Sequence, residues 1–351
     1  MKLSAYTLEL LNDIERRIIP EVEEDYIKQW ETFWKGECRD IVFSPSRKIV
    51  SEPAITVKQV NINDALDDYE LMLDMQLALV SSALSKKTSA LGVRSNYGTG
   101  IMTTLFGAEI FRMPYKTNTL PSTRSFNDSD RIRRILDAGA PDLTNGFGKD
   151  VFNFGEICAE VFQNYPKISK YVYVYHPDTQ GPLDIAELLW GSEMFYEMYD
   201  DPDFVHAVMQ LITDTYIRFM DRWFQMYPIR DGLNVHWGFW MQGGIMLRND
   251  SAINLSPELY REFALKYDTR LLDYYGGGAV HFCGKGDNFI GELATAKNLT
   301  GINLSQPHLN DMDKIFHTAF SNGKKLVNIN RSGCEAYIQK PDAIRGMLHC
   351  V

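Results

Sequence analysis

The strongest constraint on this chain is a beat that recurs through its last two thirds. Short stretches of period two, with one set of alternate residues apolar and the other polar, are separated by stretches of helical spacing. Residues 233–240 set Leu233, Val235, Trp237 and Phe239 against Asn234, His236 and Gly238, and residues 278–283 set Val280 and Phe282 against Ala279, His281 and Cys283. Residues 300–305 set Ile302 and Leu304 against Gly301, Asn303 and Ser305, and residues 326–330 set Val327 and Ile329 against Asn328 and Asn330. Two earlier stretches, 90–97 and 170–176, have alternate positions ending in Arg94 and Asn96 and in His176. Helices are predicted over 184–198, 201–226, 256–275, 286–297, 311–322 and 340–350, several behind a capping residue or an initial proline.

A strand that is greasy on one face and polar on the other fits a closed parallel sheet, with helices outside and polar strand ends at one mouth. Buried strands of a doubly wound open sheet tend to be apolar on both faces. The reading is therefore α/β, a (β/α)8 TIM barrel forming a single domain over residues 1–351, with residues 1–55 as a helical N-terminal extension. Leu8, Leu11, Ile14, Ile18, Tyr26, Trp30 and Trp34 recur at roughly helical spacing over residues 7–35. Residues 117–130, rich in Ser, Thr, Asn and Pro, read as a long surface loop or lid.

With 351 residues and 45% hydrophobic content the chain can bury a large core. A formal net charge of -10 repels nucleic acid and anionic membrane surfaces. Five cysteines, odd in number and widely spaced, suit a reducing compartment better than a disulfide framework. Glu9, Asp13 and Glu15 make the N-terminus an amphipathic helix instead of a signal peptide, and no apolar run reaches the roughly 20 residues that span a bilayer. A soluble cytoplasmic protein is expected.

Chemistry concentrates at His281-Phe282-Cys283-Gly284. On a strand, His281 and Cys283 share one face, and an imidazole paired with a thiol suits zinc. Cys334, after the strand at 326–330 in a Ser332-Gly333-Cys334 turn, can reach the same mouth as a third ligand. Zinc held by three protein ligands keeps an open position for substrate. Cys38, Cys158 and Cys350 read as structural.

The stretch Gly181-Pro182-Leu183-Asp184-Ile185-Ala186-Glu187-Leu188-Leu189-Trp190-Gly191, then Tyr199-Asp200-Asp201-Pro202-Asp203-Phe204-Val205, resembles the uroporphyrinogen decarboxylase superfamily. So does Ser256-Pro257-Glu258-Leu259-Tyr260-Arg261-Glu262-Phe263 leading into the His-Phe-Cys-Gly run, and the resemblance extends from about Gly92 to the C-terminus. It implies a (β/α)8 barrel and two competing chemistries. The branch resembling methylcobamide:thiol methyltransferases implies a zinc site at His281, Cys283 and Cys334 and methyl transfer between a corrinoid carrier, free or on a partner protein, and a thiol or other small acceptor. The decarboxylase branch implies an arginine cluster for a tetrapyrrole's carboxylates, fed by an N-terminal Arg-Gln-Ala-Gly-Arg stretch that this chain lacks; Arg47, Arg112 and Arg124 are scattered. A corrinoid-pathway binding protein without chemistry is a third possibility.

Other residues gather around this mouth. His236, Asp250 and Asn96 are candidate catalytic residues, with Asp250 in the loop Arg248-Asn249-Asp250-Ser251 where the superfamily often has an acidic residue. Arg94, Tyr97, His176, Asn303 and Asn330 are candidate substrate contacts. Gly98 and Gly100 beside Tyr97 read equally well as a tight turn.

Overall fold

The computed structural model describes residues 2–340 and 342–351. Its strands are β1 (Gly92–Val93), β2 (Glu109–Phe111), β3 (Ser122–Arg124), β4 (Tyr173–Val174), β5 (Leu233–His236), β6 (Phe239–Gln242), β7 (Ile245–Arg248), β8 (Gly278–Phe282), β9 (Leu299–Leu304), β10 (Lys325–Ile329) and β11 (Leu348–Cys350). Five of them, in the order β11-β10-β9-β8-β7, form a wholly parallel sheet, and β1 pairs in parallel with β4. Phe43 bridges His349 in parallel, which continues the pairing beyond β11. The chain is thus α/β with a parallel sheet.

Local chemistry explains the element boundaries. The helical stretch expected at 7–35 is two helices, Ala5–Arg17 and Pro20–Trp34, because a residue before proline is steered out of the helical region and Ile19 is extended. Gly191, at φ +93°, likewise divides the helix expected at 184–198 into Pro182–Trp190 and Glu193–Asp200. The Asp201 side chain caps the long helix Pro202–Met226 by accepting the Phe204 N–H.

Other expectations need correction too: the helix expected at 286–297 is only Ile290–Leu293. The helix at 340–350 is absent among the described residues there, and Pro341 lies outside them; Gly346 turns at φ +71° against the Cys38 carbonyl and the chain enters β11. The loop at 117–130 contains β3, hydrogen-bonded to β2 as a hairpin. The single strand at 233–240 is also a hairpin, β5–β6, reversed by a two-residue turn with Trp237 at φ +44° and Gly238 at φ +79°.

The two faces of the parallel sheet do different work. Leu247, Val280, Ile302 and Leu326 lie in one register and pack into the main core with the helices. On the other face Met246, Ala279 and Val327 form a second apolar cluster with Trp34 and Trp240, and the Trp34 indole N–H donates to the Trp240 carbonyl at 3.0 Å. Gly301 belongs there too, since a Cβ at this position would lie 3.1 Å from the Trp34 ring. Two residues further along the same face, Arg248, His281 and Asn303 stand side by side on β7, β8 and β9. Val327 departs from the expected outward phase, and Asn328, at φ +56°, interrupts the alternation before Ile329 returns to the main core.

Candidate metal centre

Asp250, His281 and Cys283 each offer one ligand atom, and these atoms all lie within 4.8 Å of one another. His281 Nε2 is 3.4 Å from Cys283 Sγ and 3.8 Å from Asp250 Oδ1. Bonds of roughly 2.0–2.3 Å from zinc to N, O and S at tetrahedral angles give ligand separations of about 3.3–3.6 Å, and the two His281 separations lie close to that range.

The orientation of each ligand is fixed from behind. Asn303 donates its amide to the carbonyls of Val327 (2.8 Å) and Asn328 (3.1 Å), which leaves its oxygen to accept from His281 Nδ1–H at 2.5 Å. That tautomer turns the Nε2 lone pair toward Cys283 and Asp250, the arrangement that ligating histidines adopt. Asp250 Oδ1 accepts the Cys283 N–H at 2.6 Å, and the buried Asp184 carboxylate accepts the N–H groups of Asp250 and Ser251, both at 2.8 Å. Burial, then the Asp250 charge, push the Asp184 carboxyl well above its usual range. Burial is also the first cause holding the His281 imidazole below its ordinary value and the Cys283 thiol above its own; the Asp250 carboxylate raises both.

Cys334 is not part of this group. It is fully buried on the helix Arg331–Ile338, not in a turn, and its sulfur is bonded to Cys350. That pairing also departs from the expectation of free thiols; Cys38, Cys158 and Cys283 are free. Asp250 completes the trio that could hold an ion, its carboxylate brought in by the short helix Asp250–Asn254 that follows β7.

Beside the trio lies a buried charge cluster. Arg94 Nη1 pairs with Asp178 Oδ2 at 2.5 Å and Arg248 pairs with Asp178 Oδ1. The Trp237 indole N–H donates to Asp178 at 3.2 Å, the Arg248 guanidinium lies 4.2 Å from the centroid of the Trp237 ring, and that ring meets His281 edge-on at 4.9 Å. Burial, reinforced by the Arg94 charge, lowers Arg248 to about 9. His236 Nε2 is 3.8 Å from Asp178, but the ring is buried with neither nitrogen hydrogen-bonded, and burial holds it well below the ordinary histidine value.

The remaining expected site residues divide. Asn303 and Asn330 line a cavity of about 270 Å³ with Trp237, His281 and Ser305. Asn96 accepts from Arg94 Nε at 3.0 Å and so belongs to the charge cluster. His176 spends both nitrogens on backbone, Nδ1 on the Pro177 carbonyl and Nε2 on the Met246 N–H, and has none left for a substrate. Tyr97 is fully buried with its ring against Phe147, away from this cavity's lining. Asp178, Arg248 and Trp237 were missed in the sequence. Asp178 follows β4 closely enough to signal a strand end, whereas Arg248 ends the uniformly buried β7, which shows no alternation to reveal it.

The chain matches no family model and no curated protein. No helix among the described residues is long and apolar enough to cross a membrane.

Proposed function

We propose that this chain is a zinc-dependent methyltransferase on a (β/α)8 barrel, moving a methyl group between a corrinoid carrier and a small thiol. The observation that carries the reading is the convergence of one nitrogen, one sulfur and one oxygen at the carboxyl ends of parallel strands, beside an open cavity. A nitrogen–sulfur–oxygen set with an oriented imidazole fits zinc, with Asp250, His281 and Cys283 as the residues that would hold it. Bound there, the ion would supply Lewis-acid charge that keeps a substrate thiol deprotonated near neutral pH. The chain's own groups hold the ligands ready for it. Asn303 fixes the His281 tautomer, Asp184 anchors the Asp250 loop, and Trp237 shields one side of His281. The corrinoid, and the barrel beyond the five-stranded sheet, rest on the resemblance described above.

The decarboxylase alternative gains little. Arg94 and Arg248 close on Asp178, Arg47 on Glu23, Arg112 on Asp67 and Arg124 on Glu109, so each is already engaged by a carboxylate of the chain. The test is turnover of methylcobalamin with 2-mercaptoethanol, followed by loss of the methyl–cobalt absorbance and by thioether mass. Thioether formation that vanishes in Cys283→Ser supports the assignment. Zinc-loaded protein that forms none, or equal turnover in the variant, overturns it.

A further inference from the structure

A second cavity, of about 310 Å³, lies where the run of parallel strands is interrupted. β4 pairs only with β1, and β7 only with β8, among the described residues. In place of a ladder between β4 and β7, the His176 ring, just beyond β4, accepts the Met246 N–H at 3.0 Å. The gap is walled on one side by β4 and β5 and on the other by the helices Gly148–Phe162 and Pro202–Met226. None of the ligand residues Asp250, His281 and Cys283 lines it.

The lining has a definite chemical sense. Phe162, Trp223, Phe224 and Tyr227 supply an aromatic wall. No acidic residue among those described lines the cavity, although the chain carries a formal charge of -10. Arg230 at its rim forms no ion pair among the described residues; its guanidinium lies 4.0 Å from the centroid of the Tyr173 ring. Trp223 is fully buried, and its indole N–H has no acceptor among the described residues. A buried donor without an acceptor is costly, and Trp223 lines the same cavity as Arg230, a cation with no carboxylate partner among the described residues.

We infer that this cavity binds a small organic anion with an aromatic or aliphatic body, its acid group meeting Arg230 and the Trp223 indole N–H and its body lying against Phe162, Phe224 and Tyr227. The volume is at the lower end for small-molecule sites, and a few placed donors in an apolar wall are their usual composition.

The test uses the full chain and two fluorescent probes of nearly one shape: 1-anilinonaphthalene-8-sulfonate and its uncharged analogue N-phenyl-1-naphthylamine. Saturable one-to-one binding is expected, with the sulfonate bound about 10-fold more tightly than the neutral probe. Arg230→Gln, at an exposed position, should remove that preference while leaving the far-ultraviolet circular dichroism and the affinity for the neutral probe unchanged. Trp223→Phe, which keeps an aromatic ring and deletes the N–H, should weaken the sulfonate a few-fold. Equal affinity for both probes, binding of the sulfonate that Arg230→Gln leaves unaltered, or no saturable binding would each overturn the assignment.

Discussion

The same face of the same strands is built in two ways. At one level Met246, Ala279, Gly301 and Val327 close against Trp34 and Trp240 in a buried apolar cluster. One step of the pleat further on, Arg248, His281 and Asn303 occupy the equivalent positions, and their contacts are hydrogen bonds, ion pairs and ring edges. The lower level holds the strands together through buried area, and the upper level holds ligand atoms in orientation through polar partners. Stability and chemistry are therefore separable along each strand, and substitutions at the two levels should fail differently.

The largest expected effect is at the upper level. Zinc measured by elemental analysis should be stoichiometric in wild type and absent in Cys283→Ser, while the urea midpoint of the chelator-stripped wild type matches that of the variant; zinc retained by the variant would break the division. Met246→Ala should do the converse, costing about 2–5 kcal/mol in denaturant unfolding while zinc content holds, because Met246 is fully buried in the lower cluster. Asn303→Ala should weaken zinc about 10–100-fold by releasing the His281 tautomer, read by competition with a chromophoric chelator.

A smaller effect comes from pH. Burial lowers His176 from 6.5 to about 4, helped by the charges of Arg248 and Arg94 and opposed by the bond to the Pro177 carbonyl. The folded value lies below the unfolded one, so the unfolded chain takes up the proton first on acidification. The stability that neutral His176 confers is complete above about 6.5 and lost as pH falls toward about 4. At pH 5 the loss is about 2 kcal/mol. Urea unfolding at pH 7 and pH 5 should show it, and His176→Gln should show less; an identical pH response would contradict the assignment. Smallest of all, Arg112→Ala removes only an exposed pair with Asp67 and should shift stability by less than about 0.5 kcal/mol, with zinc unchanged.

Legibility in the sequence follows the same division. Period two exposed β8 and β9 because one face carries His281, Cys283 and Asn303 while the other carries Val280, Phe282, Ile302 and Leu304. β7 escaped because Ile245, Met246 and Leu247 are apolar on both faces, so no alternation marks it, and with it went Arg248 and the meaning of the loop that presents Asp250. The hairpin at Trp237-Gly238 was hidden because a left-handed tryptophan is held by its surroundings, here Asp178, Arg248 and His281, and not by its own propensity. Cys334 had the right residue type for a ligand, but the helix that follows Asn330 turns it toward Cys350. Local spacing reported what each strand could offer, and the partners that orient those groups come from other strands.

The central claim is that Asp250, not Cys334, joins His281 and Cys283. Titration with Co²⁺, read by visible ligand-field and thiolate-to-metal charge-transfer absorption, tests it most directly in wild type, Asp250→Asn and Cys334→Ser. A tetrahedral cobalt–thiolate spectrum that survives Cys334→Ser and is lost or weakened at least 10-fold in Asp250→Asn is the predicted result. A spectrum abolished by Cys334→Ser in a folded chain and untouched by Asp250→Asn would contradict it.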